Sequence, residues 1–228
     1  RRGRKVYFKL FTILSNYPFL DYIGRTGAPI VLSTGMSELE EIQKAVKTIE
    51  NTGNKKICIL HCISIYPCET STINLKNITG LIKESPNHLV GYSDHSLGNE
   101  MASAAIALGS CVIEKHFTLD KTKIGMDNQM ASEPDEMSQL VSNCHNVQIA
   151  LGNSTRLVQA DEMEQRKKMR RSVIASKDLK AGSKISIADL DVKRPGTGIP
   201  PEEIKTLVGK ILTRDIEGNT LIKKSDIS

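Results

Sequence analysis

Five short apolar runs rich in β-branched residues punctuate the first 150 residues: KVYFKL (5–10), APIVLST (28–34), KICILHC (56–62), HLVGYS (88–93) and CVIEKHF (111–117). Their length predicts strands, and their nearly continuous apolar character predicts strands covered on both faces. Segments of helical spacing lie between them. In SELEEIQKAVKTIENTG (37–53), Ser37 with Glu40 reads as a capping box, and Leu39, Ile42, Val46 and Ile49 make one apolar face. Gly53 supplies the stop signal. NEMASAAIALGS (99–110) and EPDEMSQLVSNCHNVQIALG (133–152) predict further helices that end at glycine. Strand starts recur every 23 to 32 residues, the length of a βα unit. The pattern predicts an α/β fold with a parallel sheet and helices outside it.

Such a sheet can lie open or close into a barrel. The ends of the runs favour closure: Ser33 and Thr34, then His61 through Tyr66, then Ser93, Asp94 and His95, then Glu114 and His116. In a (β/α)8 TIM barrel, strand ends form one ring around one site, so these residues converge. Only five of eight strands are visible and no methionine starts the chain. The expectation is therefore the C-terminal part of a barrel, with about three βα units upstream.

From Met169 the texture changes to short apolar runs broken by glycine and proline. KDLKAGSKISIADL (177–190) and RDIEGNTLIKKSDI (214–227) share a basic residue, an aspartate, a glycine and a closing Asp-aliphatic pair, so two similar β units are expected to pack together. The predicted organisation is a partial barrel domain at 1–152, a linker at 153–168 and a small β-rich domain at 169–228.

Charge and cysteines refine this picture. Residues 1–152 carry 15 Lys+Arg against 15 Asp+Glu, and residues 153–228 carry 16 against 11, so the net charge of +5 sits in the last third. Its densest stretch, RKKMRR (166–171), lacks interleaved aromatics and follows the acidic ADEMEQ, which predicts a solvated linker helix rather than a nucleic-acid surface. No run approaches the roughly 18 apolar residues of a membrane span, and Lys9 interrupts the short apolar start that follows the basic N-terminus. Five cysteines without a CxxC pair suit reduced thiols and a cytoplasmic location. Neither a nucleic-acid nor a membrane partner is expected.

His95 and His116 close consecutive predicted strands. Residue chemistry leaves two readings open. They are neutral imidazoles that ligate a divalent cation such as Mn²⁺, with other positions left to substrate and water, or separate strand-end histidines bonded to carbonyls. Asp94 and Glu114 would either orient the imidazoles or pair with Lys115 and its neighbours.

The motifs VLSTGM (31–36), LHCISIYP (60–67), GYSDHSLG (91–98), IEKHFTLD (113–120), GMDNQMASEP (125–134) and VKRPGTGIPP (192–201) together resemble the sialic acid synthases, which make nine-carbon nonulosonic acids such as N-acetylneuraminate and legionaminate. The C-terminal domain is similar to their antifreeze-like, or SAF, domain of β-clip type. The resemblance implies condensation of phosphoenolpyruvate with the open-chain aldehyde of an N-acyl hexosamine, with phosphate released by C–O cleavage. It implies a homodimer whose SAF domain caps the partner's site. Carried over residue by residue, it makes His95 and His116 ligands of a divalent metal (Mn²⁺ or Mg²⁺), assigns Ser33 and Ser93 to phosphoenolpyruvate and counts Lys9 among the substrate-binding residues. Tyr66 and Asp127 become catalytic and sugar contacts, and Arg194 the arginine offered across the dimer. The chain departs from the family pattern in FKLFTILSNYP (8–18): Lys9 matches, Thr12 stands at a serine position, and a glutamate is absent. Ser64 stands where some members carry an asparagine. These departures leave a second reading, a catalytically inactive relative that binds carbohydrate or another protein.

Overall fold

The computed structural model describes residues 13–228 and the backbone of residues 7–8. The chain divides into two compact units, the first ending at Gly152 and the second spanning Asn153–Ser228.

In the first unit, β1 (Tyr7–Phe8), β2 (Ile30–Ser33), β3 (Ile57–Cys62), β4 (Leu89–Asp94) and β5 (Ile113–Lys115) form one parallel sheet in sequence order. Helices α1 (Tyr17–Gly24), α2 (Leu39–Glu50), α3 (Lys76–Glu84) and α4 (Glu100–Ala107) connect them, and α5 (Pro134–Leu151) follows. The result is a half-barrel. Each of the five predicted runs contains one of these strands, the described part of the first being Tyr7–Phe8. The strands β2, β3 and β4 alternate between two apolar environments. Ile30, Leu32, Ile57, Ile59, Val90 and Tyr92 face the helices, where they pack with Ile42, Ala45, Val46 and Ile49 of α2 and with Ile78 and Leu81 of α3. The alternate positions, Val31, Ser33, Cys58, Leu60, Cys62, Gly91 and Ser93, therefore turn to the inner, concave face. Burying each fully enclosed isoleucine or leucine stabilises the unit by about 1.5–3 kcal/mol.

Two local expectations require correction. The capping box of α2 is built by Glu38 and Glu41, one residue later than the Ser37–Glu40 reading, and Leu39 is 39% exposed. The buried face of α2 is Ile42, Ala45, Val46 and Ile49, so Ala45 replaces Leu39 in the predicted stripe. Helices α1 and α3 escape the periodicity reading. The eight residues of α1 are apolar on most sides, and α3 carries Gly80 in its middle, which weakens helical character.

The second unit begins with α6 (Ala160–Met169), exposed throughout, which agrees with a solvated linker helix. Strands β6 (Ser172–Ala175) and β7 (Leu190–Lys193) pair antiparallel, and a short α7 (Ile204–Leu207) precedes the last segment. The internal repeat has a structural meaning. Leu179 and Ile216, at equivalent repeat positions, exchange backbone hydrogen bonds of 2.8 and 2.9 Å. Each repeat also closes on a 3₁₀ turn whose third residue, Asp189 or Asp226, caps its own start. Val173, Ala175, Leu179, Ile185, Leu212, Ile216 and Ile222 form the core between them.

Among the described residues, no helix is long and apolar enough to cross a membrane. All five cysteines are free thiols, and burial together with the neighbouring Cys111 pushes the Cys58 thiol up to about 12.

Candidate functional site

The inner face of the half-barrel changes character at the C-terminal ends of its strands. Ser33 and Cys62 end their strands there, Ser93 and Glu114 stand one residue before the ends of theirs, and His95 and His116 follow Asp94 and Lys115 just beyond. The register aligns Cys62 with Ser93 and Ser93 with Glu114, so three inward side chains stand in one row across the sheet. Parallel pairing in sequence order brings together residues that lie up to 83 positions apart, from Ser33 to His116.

The two histidines meet. Their ring centroids are 5.2 Å apart, edge to face at 75°. Tyr66 packs on both, with centroids 4.3 Å from His95 and 5.6 Å from His116. His95 Nδ1 lies 2.7 Å from the Ile63 carbonyl. A carbonyl only accepts, so Nδ1 carries the proton and Nε2 of the neutral ring carries the lone pair. Nε2 stands 3.4 Å from Ser93 Oγ, whose own hydroxyl donates to Glu114 Oε1 at 2.7 Å. His116 is half-buried, and its Nδ1 lies 3.6 Å from Asp127 Oδ2.

Burial and mutual charge set the protonation of the site. Burial, with the neighbouring His95, lowers the pKa of His116. Burial opposes protonation of His95 too, yet hydrogen bonds to Cys62 and to the Ile63 carbonyl outweigh it and leave its pKa above the ordinary imidazole value. The Cys62 thiol shows the complementary balance. Burial pushes it up, and hydrogen bonds from His95 and Ser33 pull it below the usual thiol range.

Asp127 is carried by the long segment after β5, which is closed at its base. Ser132 N donates to the His116 carbonyl at 2.8 Å, and Thr118 N to the Ser132 carbonyl at 3.0 Å. The α5 capping box of Glu133 and Glu136 also receives Lys121, through its backbone N–H at 2.9 Å and its ammonium at 2.6 Å. That anchoring holds Asp127 beside His116.

Of the sequence-derived site residues, Ser33, Tyr66, Ser93, His95, His116 and Asp127 come together at this end of the half-barrel. Arg194 is exposed just after β7 in the second unit. Lys9 and Thr12 lie outside the described residues. His61, read with the strand-end residues, turns to the helix side. It is 4% exposed, bonds the Ile73 carbonyl at 2.7 Å and stacks on Tyr92. Its position one residue before the inward Cys62 is the physical reason. Sequence reasoning placed Cys62 in the strand-end span 61–66 but gave it no role, and it missed the Ile63 carbonyl as the partner of His95. Strand alternation singles Cys62 out within that span, since it lies two residues beyond the inward Leu60.

Two neutral imidazoles with one nitrogen fixed by a carbonyl suit a divalent cation that keeps open positions. Among the described residues, no group of three or more His, Cys, Asp and Glu is arranged to enclose a metal. Two imidazoles by themselves would leave the remaining coordination positions to substrate and water.

The NeuB family matches residues 11–156, and the SAF domain matches residues 170–228. The chain is 37% identical over 222 residues to the N,N'-diacetyllegionaminic acid synthase of Campylobacter jejuni, covering 95% of this chain and 66% of that protein. It is 36% identical over 213 residues to the N-acetylneuraminate-9-phosphate synthase of Mus musculus, covering 92% of this chain and 59% of that protein. The crystal structure of the N-acetylneuraminic acid synthetase of Leptospira borgpetersenii, in complex with citrate, superposes with a TM-score of 0.66 at 32% identity. That match covers 72% of this chain and 56% of the other. The chain thus spans less than two thirds of the length of these curated relatives. With a NeuB match over most of its length and a SAF match after it, the chain belongs to the NeuB family and ends in a SAF domain.

Proposed function

We propose that this chain is the larger part of a nonulosonic acid synthase, which condenses phosphoenolpyruvate with the open-chain aldehyde of an N-acyl hexosamine and releases phosphate. The observation that carries the reading is the pair of imidazoles at adjacent strand ends, with His95 Nε2 left as a lone-pair donor by the Nδ1 bond to Ile63. His95 and His116 would hold a divalent cation, Mn²⁺ or Mg²⁺, which would supply Lewis acidity at an aldehyde oxygen.

The remaining roles belong to the chain's own side chains. Ser33 and Ser93 offer hydroxyl donors to phosphate oxygens, and Ser93 turns from Glu114 to do so. Lys9 belongs to the substrate-binding set. Tyr66, packed on both histidines, and Asp127, beside His116, form the wall that orients the sugar. Strands upstream complete a (β/α)8 barrel, and the protein works in the cytoplasm as a homodimer in which Arg194 of one copy's SAF domain closes the other copy's site. Arginine's planar fork suits a carboxylate or a sugar hydroxyl pair. Phosphate release from phosphoenolpyruvate, measured with a panel of N-acyl hexosamines on this chain and on any longer form its gene encodes, tests the proposal. Release that requires a hexosamine supports it. Hexosamine binding without release supports a catalytically inactive, carbohydrate-binding relative instead.

A further inference from the structure

Directly behind the two histidines, on the helix side of the sheet, lies a buried ion pair. Asp94 is 0% exposed, and the side chain of Lys115 is 3% exposed. Their charged groups meet at 2.8 Å. The two residues are register partners, the last pair of β4 and β5, and each immediately precedes a histidine. Asp94 is fully engaged. Its Oδ2 takes the Lys115 ammonium, and its Oδ1 accepts from Tyr92 Oη at 3.1 Å, Ser96 N at 2.9 Å and Ser96 Oγ at 2.6 Å. Lys115 Nζ also donates to the Ser96 carbonyl at 2.7 Å.

These contacts close a ring around His95. Its two chain neighbours, Asp94 and Ser96, are both tied to Lys115, and its own carbonyl accepts from Cys68 N at 3.0 Å. On the other strand, Lys115 is fixed from the far side and the His116 carbonyl is held by Ser132 N. The backbone on both sides of the imidazole pair is thereby locked to one frame. A buried ion pair is a poor way to gain stability, because desolvating two charges offsets most of their attraction, and apolar residues of similar volume often do as well. What it does supply is direction: a charge pair with five hydrogen bonds tolerates one arrangement of the two strand ends, whereas an apolar contact tolerates several.

We propose that Asp94 and Lys115 are positioning residues that set the separation and tilt of His95 and His116. They act through the backbone of the two strand ends and touch neither substrate nor metal. The proposal rests on the reading of those histidines as a metal-binding pair, and its test separates the two.

The test is the double variant Asp94→Asn/Lys115→Met, which removes both charges and keeps their volume, studied in the full chain. Thermal unfolding checks that it folds, Mn²⁺ titration by calorimetry reads the site, and imidazole ¹⁵N resonances of the metal-free protein read ring tautomer and mobility. The expected result is a melting temperature close to that of the parent, Mn²⁺ affinity lowered by about 10- to 100-fold, as for other residues that orient metal ligands, and loss of the single fixed Nδ1–H tautomer of His95. A folded double variant with parental Mn²⁺ affinity and unchanged imidazole resonances overturns the proposal. Should the double variant not fold, Asp94→Asn alone keeps the acceptor for Tyr92 and Ser96. It faces the same two readouts, and parental values in both overturn the proposal again. If instead Mn²⁺ binding to the parent is indifferent to His95→Ala, the metal reading fails. The metal-free imidazole spectra then decide the positioning role: unchanged resonances in the variant overturn it.

Discussion

His95 and His116, 21 residues apart in the chain, stand with ring centroids 5.2 Å apart and edge to face. Adjacent parallel strands separate their backbones, and Tyr66 closes over both rings. His95 is 5% exposed, and its imidazole packs against Tyr66 and bonds the Ile63 carbonyl. His95→Ala is accordingly expected to lower Mn²⁺ affinity by at least about 100-fold, near the upper effect of losing even an orienting residue, and to cost about 1–3 kcal/mol of stability for the acceptor left unpaired while the protein stays folded. Calorimetry with equal Mn²⁺ affinity in variant and parent would remove the histidines from the site.

Gly91 on the inner face of β4 predicts the tolerance of the sheet behind that site. A Cβ there would lie 2.5 Å from Leu60 Cδ2 and 2.7 Å from the Val112 carbonyl oxygen. The carbonyl belongs to the backbone just before β5 and accepts from Tyr92 N at 2.8 Å, so it cannot yield without moving the strand. Gly91→Ala should cost about 1–3 kcal/mol, the range for overpacking, and should weaken Mn²⁺ binding as well by displacing His116 from His95. Urea unfolding and metal titration check both parts. A variant with parental stability would show that β4 and β5 are looser than this contact implies.

The shared aspartates of the C-terminal repeat give a pH prediction. Hydrogen bonds from Lys177 and Ser186 hold the Asp189 carboxyl down at about 2, and Arg214 holds Asp226 below the usual range. A carboxyl whose folded pKa is depressed contributes stability that is complete above its unfolded value, near 3.9, and is lost as pH falls through the folded value. The second unit should therefore lose stability between about pH 4 and 2. Asp189→Asn should be less stable than the parent at pH 5, with the gap narrowing by pH 2. Urea midpoints at the two pH values measure this, and a gap independent of pH would contradict it.

Much of this arrangement is legible in the residues. The apolar runs mark the strands, and their polar ends mark the site, because a parallel sheet places every strand's C-terminal end on one side. His61 shows the limit. It ends its run as prominently as His95 does, and only alternation relative to the inward Leu60 and Cys62 assigns it to the helix side. The pairing of Asp94 with Lys115 is equally hidden, since it depends on register between β4 and β5, which the spacing of two strands does not fix. Composition correctly marked α6 as solvated, while the start of α2 lies one residue later than the serine suggested, because Glu38 and Glu41 form the reciprocal cap.

Exchange between subunits tests the role proposed for Arg194. Arg194→Ala and His95→Ala variants, each inactive alone, are mixed under conditions where subunit exchange is demonstrated. If Arg194 serves the partner's site, each mixed dimer regains one site built from an intact half-barrel and an intact SAF domain, and phosphate release partly returns. Exchange without any recovery would place the arginine's role within its own chain or outside the reaction.

The central claim is that this end of the half-barrel runs a metal-dependent condensation of phosphoenolpyruvate with an N-acyl hexosamine. The most direct measurement is phosphate release from phosphoenolpyruvate by the longest form the gene encodes, with and without an N-acyl hexosamine, and with the divalent metal removed and restored. Release is expected only when hexosamine and metal are both present, and it should be lost in His95→Ala. Absence of release with every hexosamine in a folded, Mn²⁺-loaded protein would contradict the claim, as would release that His95→Ala leaves untouched.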